Sequence, residues 1–483
     1  MLDKISQNNI SYRKRLIREL ADAYARERDR WIEKNIFYYE NDLGYMRFLV
    51  SEGLRVLDLG CGNGRLLAGL KPSYGVGVDF SNEMINVARE KYPTLEFHHG
   101  DVEDSRVITS LNGPFDVIIL SDTIGSLDDC QATLSQLHTL CKADTRIVIS
   151  YYSRMWEPIL SLAKFLGFQM PQVEQNWLFS QDIENFLTLS DFEVVKREWR
   201  QIIPRRLLGL GTLINRYIAP LPIIRSVCLR NYIVARPIQD KHIRKLSTTV
   251  VIPCRNEKGN IETAVNRIPQ FCEDIEILFV EGHSQDGTLE EIQRVIRAYP
   301  SRKIKVIQQD GKGKSDAVRK GFEHARNEVL MILDADLTMP PEALVKFYDA
   351  LTLGKGEFIN GSRLVYPMEE NAMRFLNILA NKAFSILFTW LLNQRFTDTL
   401  CGTKVLTKKH YERLAKNRSY FGNFDPFGDF DLIFGASKMN LKVAEIPITY
   451  ASRQYGETQI SRFRHGWMLL KMVVFAFKKL KAF

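Results

Sequence analysis

The 483-residue chain is 45% hydrophobic and 25% charged, a globular composition too long for one ordinary core, so two domains are expected. Its seven cysteines are scattered singly, without CxxC pairs or histidine clusters, so neither a disulfide framework nor a zinc site is indicated and a reducing compartment is the simpler reading. A net charge of +9 admits phosphorylated substrates or anionic lipid; the basic residues form no base-reading module, so no nucleic-acid partner is expected.

The opening stretch, MLDKISQNNISYRKRLIREL, is charged and helical, without an apolar core of signal-peptide length. No run approaches eighteen uninterrupted apolar residues, so the expectation is a cytoplasmic protein that spans nothing. Short apolar runs near 55–59, 76–79, 95–98, 117–120 and 146–150 then alternate with helix-period stretches, the pattern of a doubly wound parallel α/β sheet. DFEVVKREWRQIIP and NYIVARPI read as a closing strand pair, separated by a greasy, basic insert at 205–229. A second series of strands begins at TTVVIP and continues through IEILFV, KIKVIQ, EVLMILDAD and EFINGS. The expected division is a first domain over 1–240, a linker at 241–247 and a second α/β domain over 248–483.

In VLDLGCGNG, Asp58, Gly60, Gly62 and Gly64 stand at a strand-to-helix turn, where glycines let a ligand approach the backbone and a helix N-terminus offers free N–H groups. Asp79 ends the next strand, placed to accept from both hydroxyls of a ribose, and Asp101 ends the third. A nicotinamide-dinucleotide sheet would show GxGxxG; this turn is GxGxG. The segment over about 35–238 resembles the class I S-adenosylmethionine-dependent methyltransferases, with their Rossmann-like sheet. That resemblance implies that Gly60, Gly62 and Gly64 hold the methionine part of the cofactor, Asp79 the ribose, and Asp101 with Val102 the adenine. Ser121 and Asp122 would face the methyl group. No residue stands out as a general base, and the adjacent His98 and His99 take no role. A non-catalytic, cofactor-binding scaffold is the competing account of this domain.

The second domain carries TTVVIPCRNE, FVEGHSQDGT, GKGKSDAVRKG and LDADLTMPPE, all at expected strand ends. Asp334 and Asp336 would repel one another unless a cation lay between them, and hard oxygen ligands suit Mg²⁺ or Mn²⁺. Together the four segments resemble glycosyltransferase family 2, with its GT-A fold, and within it the synthases that glycosylate dolichyl or other polyprenyl phosphates. By that resemblance Pro253, Arg255, Glu257 and Glu281 contact a GDP- or UDP-linked donor, Lys312 and Lys314 lie near phosphates, and Asp334 and Asp336 carry the metal. The family usually has Asp-Asp where this chain has Glu281-Gly282, and some relatives have a metal-contacting Gln where it has Thr338. Arg363 and Arg374 look like clamps for a lipid phosphate. Such an acceptor needs no general base; a hydroxyl acceptor would need one, with Asp429 or Asp431 as candidates. Arg453, Tyr455 and Arg462 resemble the family's loop that closes over the donor pyrophosphate. The processive polysaccharide synthases are set aside, because QxxRW and transmembrane helices are missing from the sequence.

Stretches 371–394 and 459–483 read as amphipathic, with Lys478, Lys479 and Lys481 beside Phe475, Phe477 and Phe483. They are expected to hold the protein peripherally on the inner face of the membrane.

Overall fold

The computed structural model describes residues 11–482 apart from 172, 174, 239–244, 366–374, 421–429, 452–454 and 456–461. The chain forms two compact units that meet in sequence at Gln239 and Asp240.

The first unit is built on seven strands, β1 (Arg55–Leu59), β2 (Tyr74–Asp79), β3 (Glu96–His99), β4 (Phe115–Ser121), β5 (Cys141–Tyr152), β6 (Phe192–Arg200) and β7 (Arg230–Pro237). They lie in the order β3-β2-β1-β4-β5-β7-β6. Five strands run parallel, and β7 pairs antiparallel with both β5 and β6. Chain order reverses between β1 and β4, which opens a crevice at the carboxyl ends of these strands. Burial explains their composition: Val56, Leu57 and Leu59 of β1 and Ile118, Ile119 and Leu120 of β4 are all fully covered, so the runs are largely apolar rather than alternating, with Asp58 the buried exception in β1.

The second unit repeats the plan with β8 (Thr248–Cys254), β9 (Ile275–Glu281), β10 (Lys303–Gln308), β11 (Val329–Ile332), β12 (Phe358–Ser362), β13 (Lys404–Thr407) and β14 (Val443–Pro447). The order is β10-β9-β8-β11-β13-β12-β14, with β13 antiparallel to β11 and β12. Its switch point falls between β8 and β11. The sequence reading lacks β13 and β14. β13 is four residues long and opens with a buried lysine, and no residue of β14 is fully buried, so neither carries the apolar run that marks the others.

No helix among the described residues is long and apolar enough to cross a membrane. The helix Arg462–Ala476 buries Leu469, Met472 and Ala476 and exposes Trp467, Leu470 and Val474. Lys481, expected at a lipid-facing end, is instead fully buried, its Nζ donating to Asn393 Oδ1 at 2.8 Å.

Candidate functional sites

The turn after β1 has positive φ at each of its three glycines, 79°, 53° and 76° at Gly60, Gly62 and Gly64, conformations that side chains seldom adopt. A Cβ on Gly60 would strike the Thr123 hydroxyl, and one on Gly64 would lie 2.7 Å from the Phe97 ring. The turn hands its backbone to Asp79: the Gly62 N–H donates to Oδ2 at 2.8 Å and the Ser81 N–H to Oδ1 at 2.9 Å. Each oxygen keeps a lone pair for a ribose hydroxyl. Asp58, 1% exposed, has no partner for Oδ1. Burial, and then the charge of Asp79, push its carboxyl up to about 7. A buried carboxylate without a partner is costly, and a cation seated against the turn relieves it. S-adenosylmethionine, which bears an ammonium and a sulfonium, fits this set of groups.

The helix Tyr12–Tyr24 sends side chains to the loops that follow β2, β3 and β4. Lys14 Nζ reaches Asp101 Oδ2 at 2.5 Å and also pairs with Glu103. Burial opposes the Lys14 charge, but the two carboxylates outweigh it and hold the ammonium above its ordinary value. Arg13 donates to the Gly125 carbonyl at 2.7 Å, and Asp22 accepts from Ser81 Oγ at 2.5 Å. Asp101 thus faces a lysine as well as the adenine position expected for it, and Val102 beside it is buried. Sequence reasoning missed Lys14: one charge in a charged helix carries no distinguishing signal.

Ser121 ends β4 and Asp122 follows it. Asp122 is held at φ 61°, and its carboxylate pairs with Arg230, a fully buried residue that opens β7. The same guanidinium donates to Asp42 Oδ1 at 3.0 Å and to Ser150 Oγ at 3.1 Å, with Ser121 Oγ at 3.4 Å. Burial pushes the Asp122 carboxyl up, against the pull of Arg230. A small pocket opens beside it, lined by Asp122, Tyr151, Tyr152, Gln175, Asn176 and Trp177 among others. The sequence signal for Arg230 is a cation at the head of the apolar run NYIVA.

In the second unit, the segments expected at strand ends come together at the switch point. Asp334, after β11, accepts from Lys314 Nζ at 2.6 Å. Burial raises its carboxyl, but Lys314, Lys404 and Arg363 more than offset this and keep it below the usual range. Asp336 Oδ1 accepts from the Thr338 hydroxyl at 2.9 Å and the Thr338 N–H at 3.2 Å. Thr338 therefore orients the second carboxylate. A side chain on Gly402 would run into both the Asp334 carboxylate and the Lys314 ammonium. The bare backbone there leaves a cradle of hard oxygen and cationic groups, which fits a divalent ion and the phosphates it bridges.

Of the residues expected to contact the donor, Pro253 is the penultimate residue of β8 and Arg255 follows the strand. Glu257 accepts from Asn260 Nδ2 at 2.6 Å. Glu281 is 1% exposed and accepts the Ser284 N–H at 2.6 Å. Burial raises its carboxyl, yet this bond and Gln308 hold it low. Gly282 sits with its Cβ position 3.2 Å from the Cys254 carbonyl and from Arg255 Cβ, so a side chain there would crowd this turn. Tyr455 lies against Gly259, its hydroxyl 3.5 Å from Asp286 Oδ2. Lys312 is exposed in the loop before the helix Lys314–His324.

Arg363 forms a two-pronged pair with buried Asp398, at 2.7 and 2.9 Å, and its guanidinium stands 5.1 Å from the Tyr450 ring. Two of its five donors are thereby fixed, and the fork is rigid. Asp431 is engaged by Arg319 at 3.1 Å and Arg418 at 3.5 Å, a pairing that ties the helix Phe430–Lys438 to the helix Lys314–His324. Arg374, Asp429 and Arg453, with the side chain of Arg462, lie outside the described residues.

Residues 12–197 match the family model described as a methyltransferase domain, and residues 249–414 match that of glycosyl transferase family 2. The chain is 30% identical over 236 residues to the dolichol-phosphate mannosyltransferase of Pyrococcus furiosus, covering 47% of this chain and 64% of that one. It is 27% identical to the polyprenol monophosphomannose synthase of Mycolicibacterium smegmatis, over 44% of this chain and 81% of that one. The match thus spans less than two thirds of the Pyrococcus protein. Among solved structures, the Pyrobaculum calidifontis mannosyltransferase PcManGT, in complex with GDP-Man and Mn²⁺, is 19% identical with a TM-score of 0.35, covering 50% of this chain and 66% of that one.

Proposed function

We propose, for a chain that joins a methyltransferase domain to a family 2 glycosyltransferase domain, that the second domain moves one sugar from a GDP- or UDP-linked donor onto a polyprenyl phosphate at the inner membrane face. The observation that carries this reading is the cluster of Asp334, Lys314, Asp336 and Thr338 around the bare backbone of Gly402. Asp334 and Asp336 would hold Mg²⁺ or Mn²⁺, which neutralises charge on the departing nucleotide diphosphate when bound. Lys314 lies where it can pass from Asp334 to a donor phosphate. Arg363, braced by Asp398, orients the acceptor phosphate with its remaining donors. Because a phosphate monoester is already largely ionised at neutral pH, with a second pKa of about 6, the acceptor oxygen attacks without a base and the sugar inverts. The exposed stripe of Trp467, Leu470 and Val474, with Lys471 Nζ 5.7 Å from the Trp467 ring centre, supports contact with lipid.

The first domain would methylate a sugar or lipid-linked acceptor. S-adenosylmethionine supplies an electrophilic methyl group when bound, and the chain holds it through Asp58, the glycine turn, Asp79 and Asp101. The aromatic and amide side chains beside Asp122, among them Tyr151, Tyr152 and Asn176, lie at the carboxyl end of β4, where they could contact the acceptor.

The test incubates protein and Mn²⁺ with polyprenyl phosphate and a panel of radiolabelled nucleotide sugars. Label entering the organic phase from one donor, and lost in Asp336→Asn, supports the reading. No label from any donor, with the protein folded, turns it towards a hydroxyl-bearing glycan or glycolipid. The labelled product is then the first compound to offer as methyl acceptor.

A further inference from the structure

In the first unit, the helix Glu157–Phe165 has not one buried residue, although its sequence and that of the turn after it, EPILSLAKFLGF, is mostly apolar. Phe165 is 86% exposed. A surface helix normally buries one apolar stripe, and this one offers its stripe to the outside. The insert at 205–229 does the same. Leu208 and Ile223 are 108% and 87% exposed, and Leu207 and Leu208 hold left-handed backbone at φ 44° and 54°, an unfavourable conformation for leucine.

These two segments form one surface. Trp156 Nε1 donates to the Val227 carbonyl at 2.9 Å. Arg205 stands 5.9 Å from the Phe168 ring centre and donates to the Lys34 carbonyl at 2.9 Å, and Lys34 Nζ in turn reaches the Gly167 carbonyl. Contiguous exposed apolar area on this scale marks an interaction surface. Its charge identifies the partner: stretches 154–168 and 205–227 contain six lysines and arginines against the single carboxylate of Glu157.

We propose that this face of the methyltransferase unit docks on an anionic lipid bilayer, with Phe165, Leu208 and Ile223 entering the headgroup boundary and the basic residues meeting lipid phosphates. A protein partner would have to bring a large acidic surface; a bilayer supplies negative charge and hydrocarbon together. The inference builds on the proposed lipid-phosphate acceptor of the other domain, but its test is physical binding, so either can fail alone. Docking here would hold the methyltransferase where a lipid-linked product is made.

Full-length protein is sedimented with vesicles of phosphatidylcholine containing about one third phosphatidylglycerol, and with pure phosphatidylcholine. The double variant Phe165→Glu, Leu208→Glu is expected to lower the bound fraction roughly tenfold, with S-adenosylhomocysteine affinity and gel-filtration volume unchanged. The variant Lys164→Gln, Arg206→Gln should bind anionic vesicles more weakly and neutral vesicles unchanged, which keeps the test open should the first variant misfold. Undiminished vesicle binding by both folded variants overturns the proposal. So does a wild-type dimer that the first variant renders monomeric, since the surface would then belong to a second copy. Sugar transfer to a short, detergent-soluble polyprenyl phosphate should be unaffected; its loss in wild type and variants alike would instead count against the glycosyltransferase reading.

Discussion

Asp58 is the residue whose chemistry is most exposed to test. Its raised carboxyl pKa means that, before cofactor binds, the fold is disfavoured as pH rises from the ordinary carboxylate range through about 7, because the buried group must then ionise without a partner. Cofactor requires the ionised form, so affinity should climb over that same window. Titration calorimetry with S-adenosylhomocysteine should show binding about tenfold weaker at pH 6 than at pH 8, and Asp58→Asn should flatten the profile. Gly402 makes a second point at this scale. Gly402→Ala pushes a methyl group into Asp334 and Lys314, and sugar transfer should fall on the order of a hundredfold with a near-normal melting temperature. The carboxylates and glycines of both sites were legible in the sequence, because their spacing at strand ends is local. Lys14, Arg230 and Asp398 were not singled out, because what gives them meaning is a partner 87, 108 or 35 residues away.

Among elements, buried charge joins secondary structures that apolar packing alone would leave loosely oriented. Arg230 ties β7 to the end of β4 and, through Asp42, to the helix Ile36–Leu49. Replacing it with methionine strands two carboxylates, and denaturant melts should lose about 3–5 kcal/mol. Asp431 ties the helix Phe430–Lys438 to Arg319 of the helix Lys314–His324. Asp431→Ala should cost about 3 kcal/mol and lower sugar transfer only in proportion to the folded fraction. A variant of full stability without transferase activity would restore Asp431 as the proton acceptor. The short strands β13 and β14 escaped sequence reading for a related reason: they pair within a sheet whose neighbours supply the burial, so their own residues show little periodicity.

At the scale of the whole molecule, each unit has its own sheet, switch point and core. Asp336→Asn should therefore abolish sugar transfer and leave S-adenosylhomocysteine binding unchanged, and Asp79→Asn should do the reverse. Loss of both functions in either variant would mean that the units act as one. What the sequence determined by itself was the two α/β series and the ligand turns at their strand ends, because apolar runs, glycine turns and paired aspartates are written in neighbouring residues. What only tertiary structure decided was which charges are already paired and which apolar side chains remain uncovered. Lys481 turned inward, Asp431 was claimed by two arginines, and the helix Glu157–Phe165 kept its greasy face outside. Burial and pairing are set by residues distant in the chain, and no local pattern encodes them.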